Sequence, residues 1–218
     1  MRWRRRFRPL LSSEELSRVL TCLMMVLRQS MNKVSTTVAE VKSNAEDFDE
    51  EEIEEVIAGI REQQTIQQEV CRAVGGVARS HGAAALGPLR SIVFKAIEEH
   101  LASPHSPPHN VFLAVSMTED VIAECGPAVA AGMPKIMAIL GKGFAKGSTP
   151  GLRRCAVYAL GSACSSLGQR MGPHLGQLLR VLLPMAHAAI KRDRDEAADR
   201  PPFPSPPAPT TGFIALQE

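Results

Sequence analysis

Apolar positions recur at helical spacing along most of the chain. Leu16, Val19, Leu20, Leu23, Met24, Leu27, Met31, Val34 and Val38 form one i, i+3, i+4 stripe and predict a long helix. Ser12 or Ser13 precedes Glu14 and Glu15, an N-cap followed by acids where a helix start favours them. A second stripe takes Ile53, Val56, Ile57 and Ile60, then Gln67, Val70, Cys71, Val74 and Val77. A third runs Leu86, Leu89, Val93, Ala96, Ile97 and Leu101, and a fourth Ala114, Met117, Val121, Ile122 and Cys125. The fifth is Val129, Met133, Ile136, Met137 and Leu140. The sixth is Leu152, Cys155, Ala156, Ala159, Leu160, Ala163, Cys164 and Leu167. A seventh takes Leu175, Leu178, Leu179, Leu182, Met185 and Ala189. No segment sustains two-residue alternation, so no sheet is predicted.

The breaks carry helix-ending chemistry: His81-Gly82, Ser103-Pro104 through Pro108, Gly126-Pro127, Gly147 through Pro150, and Gly168 through Pro173. Gly supplies a left-handed terminal residue and Pro forbids continuation. Helices end near Ser80, Cys125 and Leu167, at intervals of about 45 and about 42 residues, the range of HEAT units. A helix pair of this kind cannot bury both faces alone and stacks on its neighbours. The expected fold is all-α, an α-α superhelix of about three to four HEAT-type repeats over residues 12–192. A globular bundle of six or seven helices is the competing architecture; the near-constant interval favours the superhelix. Residues 1–11 read as a basic tail, 46–55 as an acidic segment inserted in the array, and 193–218 as a Pro-rich disordered tail.

Composition agrees. Of 218 residues, 44% are hydrophobic but only 4% aromatic, so Ala, Leu, Val and Met must fill the core. Such side chains suit close helix packing better than strands. The net charge of +2 favours no partner by itself. The five cysteines (Cys22, Cys71, Cys125, Cys155, Cys164) are odd in number, lack a CxxC pair and fall on predicted apolar faces, so they are expected to be reduced and buried. The run Leu20 to Leu27 is far short of the ~20 residues a bilayer span needs, and no membrane insertion is expected.

Three motifs carry a family resemblance. Arg153-Arg154-Cys155-Ala156-Val157-Tyr158-Ala159-Leu160-Gly161 resembles the first helix of an importin-β-type HEAT repeat. Glu119-Asp120-Val121-Ile122-Ala123-Glu124-Cys125-Gly126-Pro127-Ala128 resembles the "DDVIE-C-PA" stretch of importin-5-type receptors. Glu46-Asp47-Phe48-Asp49-Glu50 resembles their acidic "DEDYDE" segment, and the order and approximate spacing of the three match. On residues 12–192 the chain thus resembles the importin-β family of nuclear transport receptors, importin-5 type. The resemblance implies a nuclear import receptor in cytoplasm, nucleus and nuclear pore that binds protein cargo with basic signals and, in the full-length family, Ran-GTP and Phe-Gly nucleoporins. It implies no catalysis, no cofactor and no direct contact with nucleic acid. Members are several times longer, so the chain is expected to be a piece of such a receptor. A generic HEAT scaffold, such as a phosphatase regulatory subunit, is the alternative.

The candidate cargo contacts are Glu46, Asp47, Asp49, Glu50, Glu51, Glu52, Glu54 and Glu55, eight carboxylates in ten residues. They read either as a solvated run leading into a helix or as a landing site that speeds encounter with cations. Like-charge repulsion predicts an exposed, extended segment. Other constellations are weaker. Gly141 through Ser148 looks like a phosphate loop but places Lys146 before Gly147 rather than directly before Ser148, and it follows a helix. His100, His105 and His109 lack a zinc-spaced partner set. Ser162 to Ser166 lacks a nucleophile-elbow pattern. Arg2 to Arg8, around Trp3 and Phe7, interleaves basic and aromatic residues but reads as a tail. Arg153 is expected either to bond an inter-repeat loop or to be exposed, while Ala156, Ala159, Leu160 and Ala163 are expected to be buried.

Overall fold

The computed structural model describes residues 10–44, 48–102, 106–145 and 147–198. The Arg-rich and Pro-rich tails, Glu46, Asp47, His105 and Lys146 lie outside the described residues. The described chain is all-α, with no strand among its residues. It divides into two compact units, residues 1–173 and 174–218.

The first unit holds six helices among its described residues. Helix α1 is Ser13–Ser43 and α2 is Glu50–His81. Helix α3, Leu86–Pro88, runs into two π-helical stretches, Leu89–Phe94 and Ile97–Leu101. Helix α4 is Pro108–Cys125, α5 Met133–Lys142 and α6 Pro150–Leu167. At the start of α1 the Ser12 hydroxyl accepts from the Glu15 N–H at 3.3 Å, and the Glu15 carboxylate accepts from the Ser12 N–H at 2.8 Å. This capping box satisfies two of the donors a helix start leaves open. The Ser12 amide and the Ser12 hydroxyl, both donating to the Glu15 carboxylate, hold it below its usual value. In the second unit, helix α7 (Gly172–Ala198) carries Pro184 in its interior, where one intrahelical bond is lost, and leaves Leu175, Leu179 and Leu183 exposed. It falls within the span 12–192 expected for one array.

Within the first unit, α2 packs against α1 and α4, and α4 against α2 and α6. Helix α3 and its π-helical continuation lie against α1, and α5 lies against α4 and α6. The core is where the apolar stripes placed it for α4, α5 and α6. All residues named for the fourth and fifth stripes are buried, as are Ala156, Ala159, Leu160 and Ala163. The stretch 108–142 is apolar and long enough in composition to cross a membrane, but it turns at Gly126 and buries much of its apolar surface inside this unit.

One junction recurs. Helices α2, α4 and α6 each end at a glycine with positive φ: Gly82 at 54°, Gly126 at 57° and Gly168 at 53°. Their ψ values are −132°, −136° and −125°, a combination only glycine adopts without strain. Each glycine N–H still bonds a carbonyl of the helix it closes, Ala78, Ile122 or Cys164. Each then opens a 3₁₀ turn: Gly82–Ala85, Gly126–Gly132 and Gly168–Met171. Within the first unit these helices and turns are also tied to one another at matching positions. The Cys125 thiol donates to the Gly82 carbonyl at 3.3 Å, and Arg170 donates to the Pro127 carbonyl at 3.2 Å. The Ser162 hydroxyl donates to Glu119 at 2.7 Å, and Arg79 bonds Glu124 at 3.2 Å.

The first two stripes overrun their cover. Met31, Val34 and Val38 are only half-buried on α1, and Ile53 and Ile57 are 40% and 42% exposed on α2. Length explains this. Helices α1 and α2 have 31 and 32 residues, whereas α4 has 18. Helix α4 begins level with Gln67, which His109 touches, so nothing from α4 lies over the first turns of α2. The cysteine expectation also needs correction. All five are free thiols, but Cys22 and Cys164 are exposed and Cys155 only half-buried. Cys22 lies two residues past Leu20, about 200° round the helix from the buried face.

Candidate protein-interaction site

The overrun creates a two-helix arm. No described residue from Met31 to Asn44 on α1, or from Glu50 to Glu62 on α2, is buried. At 1.5 Å rise per residue, these thirteen positions of α2 give the arm a length of about 20 Å. Val34, Val38 and Val41 of α1 and Val56 and Ile60 of α2 are half-buried along it. Ser30 anchors its base by donating to the Gln63 carbonyl at 3.1 Å.

The acidic candidates sit at the far end. Glu46 and Asp47 lie outside the described residues; Asp49, Glu50, Glu51, Glu52, Glu54 and Glu55 are all exposed. The expectation of an extended segment does not hold for the five glutamates, which are helical, whereas Asp49 is extended at φ −82° and ψ 175°. Asp49 is the N-cap of α2, accepting from the Glu52 N–H at 2.8 Å, while Glu52 accepts from the Asp49 N–H at 3.1 Å. Glu50 to Glu55 then form its first turns. Open amides and the helix dipole favour carboxylates there, each by roughly 0.3–1 kcal/mol. That exceeds the few tenths of a kcal/mol by which the like-charged pairs Glu50/Glu54 and Glu51/Glu55 disfavour the helix. Along the described arm stand eight carboxylates (Glu40, Asp49, Glu50, Glu51, Glu52, Glu54, Glu55, Glu62) against Lys33, Lys42 and Arg61. The arm therefore presents a fixed row of negative charge, able to attract a cationic partner and offering no chemistry of its own.

The other constellations have structural roles. In the Gly-rich loop, the Gly143 amide bonds Leu140, Phe144 bonds Gly141, Ala145 bonds Lys142 and Ser148 bonds Ala145. These four amides are therefore not open to a phosphate. Gly143 is instead a packing glycine: a Cβ there would sit 2.5 Å from the Ala156 Cβ on α6. Ser148 donates to the Lys142 carbonyl and Thr149 caps α6. His100 is exposed beside Glu99, and His109 bonds Gln67. Among the described residues no group of three or more His, Cys, Asp or Glu is placed to hold a metal. Ser162 ties α6 to α4 through Glu119. Arg153 is exposed. Burial pushes the thiol of Cys71 up to about 12 and those of Cys125 and Cys155 up to about 11, so none is a ready nucleophile.

Two features escaped the sequence reading. The first is a chain of buried polar groups crossing three helices. Gln67 donates to the Ser30 hydroxyl at 3.1 Å and accepts from His109 Nε2 at 2.8 Å. Its direction follows from the far end. A carbonyl can only accept, so the Ser30 proton points at Gln63, and Gln67 must turn its amide nitrogen to Ser30 and its oxygen to His109. The second is a cleft of about 250 Å³ between α2 and α4, lined by Gln68, Cys71, Phe112, Ser116 and Asp120. Burial, then repulsion from Glu119 and Glu124, raises the Asp120 carboxyl, while Arg79 pulls it down.

No protein-family model matches the sequence, and no curated protein matches it either. The residues that carry the family resemblance nevertheless have visible roles. In the segment Glu119 to Ala128, Glu119 accepts the bond from α6, Val121 and Ile122 are core, Cys125 bonds the preceding turn and Gly126 makes the left-handed junction.

Proposed function

We propose that the chain is a HEAT-type helical-repeat segment of a nuclear import receptor of the importin-β family, importin-5 type, acting by protein binding and not by catalysis. The observation that carries the repeat reading is the recurring junction at Gly82, Gly126 and Gly168, with these helices and turns bonded at matching positions. The choice of family rests on the three sequence motifs, which occur in the order and spacing of importin-5-type receptors. A receptor of this kind releases cargo because Ran-GTP and cargo favour different states of one superhelix. Capture of cargo from cell extract, with and without GTP-locked Ran, tests it. Ran-dependent loss of the captured protein is expected; capture indifferent to Ran would leave a general HEAT scaffold as the better description.

The acidic arm is its landing site for basic cargo. Replacing Glu50, Glu51, Glu52 and Glu54 by Gln should slow association with a basic signal peptide by about tenfold at low salt, the lower end of electrostatic steering. Salt at 1 M, where the screening length falls to about 3 Å, should erase the difference. Thermal stability should fall only modestly, since relief of the Glu50/Glu54 repulsion offsets part of the lost dipole interactions. Stopped-flow fluorescence reads the rate; equal rates at low salt would reduce the arm to a solvated helix start.

A further inference from the structure

A cleft of about 220 Å³ opens between the α3 segment and the turn leading into α5. Its floor is apolar: Phe94, Val129 and Ile136 line it and are themselves almost fully packed, with Leu86 half-buried at its side. Two cations stand over it. Lys135 reaches across to Glu98 at 2.9 Å, tying α5 to the π-helical stretch. Arg90 lines the cleft from the other wall and has no carboxylate partner among the described residues; its guanidinium comes within 3.8 Å of where a Cβ on Gly132 would stand. Gly132 thus leaves open the space in front of the unpaired cation.

The size and charge of the cleft define its occupant. Pockets for small organic ligands run from about 300 Å³ upward, so this one suits a single large side chain better than a cofactor. An apolar floor beside a free guanidinium favours an apolar group with an anion next to it, because Arg grips carboxylates with a forked pair of donors. We propose that this cleft docks an acidic segment of a partner protein, which seats one bulky apolar side chain against Phe94, Val129 and Ile136 and sets a neighbouring carboxylate on Arg90. The site is separate from the acidic arm and of opposite sign, so the two surfaces select different partners.

The test uses the full chain and fluorescein-labelled pentapeptides read by anisotropy. Glu-Glu-Phe-Glu-Glu should bind; Glu-Glu-Ala-Glu-Glu and Gln-Gln-Phe-Gln-Gln should each bind at least tenfold more weakly. Gly132→Leu fills the cleft, and the backbone there (φ −96°, ψ 0°) accepts an ordinary residue. It should abolish binding while leaving the thermal transition in place, and Arg90→Glu should weaken binding at least tenfold. Equal binding of the acidic peptide to wild type and Gly132→Leu would overturn the proposal. So would equal binding of the Glu and Gln peptides, or no binding of the acidic peptide to wild type at millimolar concentration.

Discussion

Gly126→Ala is expected to destabilise the first unit by about 1–3 kcal/mol, the usual cost of forcing a side chain into a backbone region reserved for glycine. At φ 57° and ψ −136° the added Cβ has no relaxed position. Relaxing the angle would break the bond from the Gly126 amide to Ile122 and move the Gly82 carbonyl off the Cys125 thiol. The opposite substitution serves as the control. Gly161 lies inside α6 with open space where a Cβ would go. There Gly161→Ala should stabilise by roughly 0.5–1 kcal/mol, because alanine has less chain freedom to lose on folding. Urea unfolding of both variants decides the matter. If both shift the midpoint the same way, the junction is not held by its left-handed glycine.

Gln67→Leu is expected to cost about 1–3 kcal/mol, the range for stranding buried polar partners. Leucine would keep most of the volume. But the Ser30 hydroxyl would lose a donor and the half-buried His109 ring would lose its acceptor. The same chain sets a pH dependence. Burial lowers the His109 pKa in the folded state below the ordinary 6.5 of the unfolded chain. The folded form then holds fewer protons, so stability is complete above 6.5 and drains away as pH falls from there toward the lower folded value. The protonated ring still donates to Gln67, so the loss comes from the desolvated charge and not from a broken bond. His109→Gln should flatten the fall in urea midpoint between pH 7 and pH 5; a variant that keeps the wild-type slope would place the titration elsewhere.

The sequence patterns served best where each helix is covered along its whole length. In α5 and α6 the i, i+3, i+4 stripes name most of the buried residues; in α4 every named residue is buried but Val111, Leu113, Val115 and Thr118 are buried as well; and the breaks at Gly126-Pro127 and Gly168 mark true ends. In α1 and α2 the same periodicity continues past the cover, because Ile53 and Ile57 repeat like core residues while the helix that would cover them starts level with Gln67. Periodicity names a face; only tertiary placement names what lies on it. The widening of the third helical segment, where the Ala102 amide reaches back to Ile97, left no mark in residue pattern. The acidic run was readable as a helix start from the Asp49–Glu52 spacing, a signal that like-charge repulsion seemed to oppose and the helix amides outweighed. Gln63 and Gln67, one turn apart in an apolar stripe, hinted at a buried polar chain, but its partners Ser30 and His109 are far away in sequence.

The near-constant sequence separation of the bonds between helices has a kinetic meaning. The bonds from Gln67 to His109, Arg79 to Glu124, Gly82 to Cys125, Glu119 to Ser162 and Pro127 to Arg170 all bridge 42 to 45 residues. Each such contact closes a loop of nearly one length, and closure entropy depends on that length only through its logarithm. Docking α6 on α4 therefore meets nearly the same entropic barrier as docking α4 on α2, with no wider loop to close. Collapse can begin at either pair, α2 with α4 or α4 with α6, and spread from there to the other.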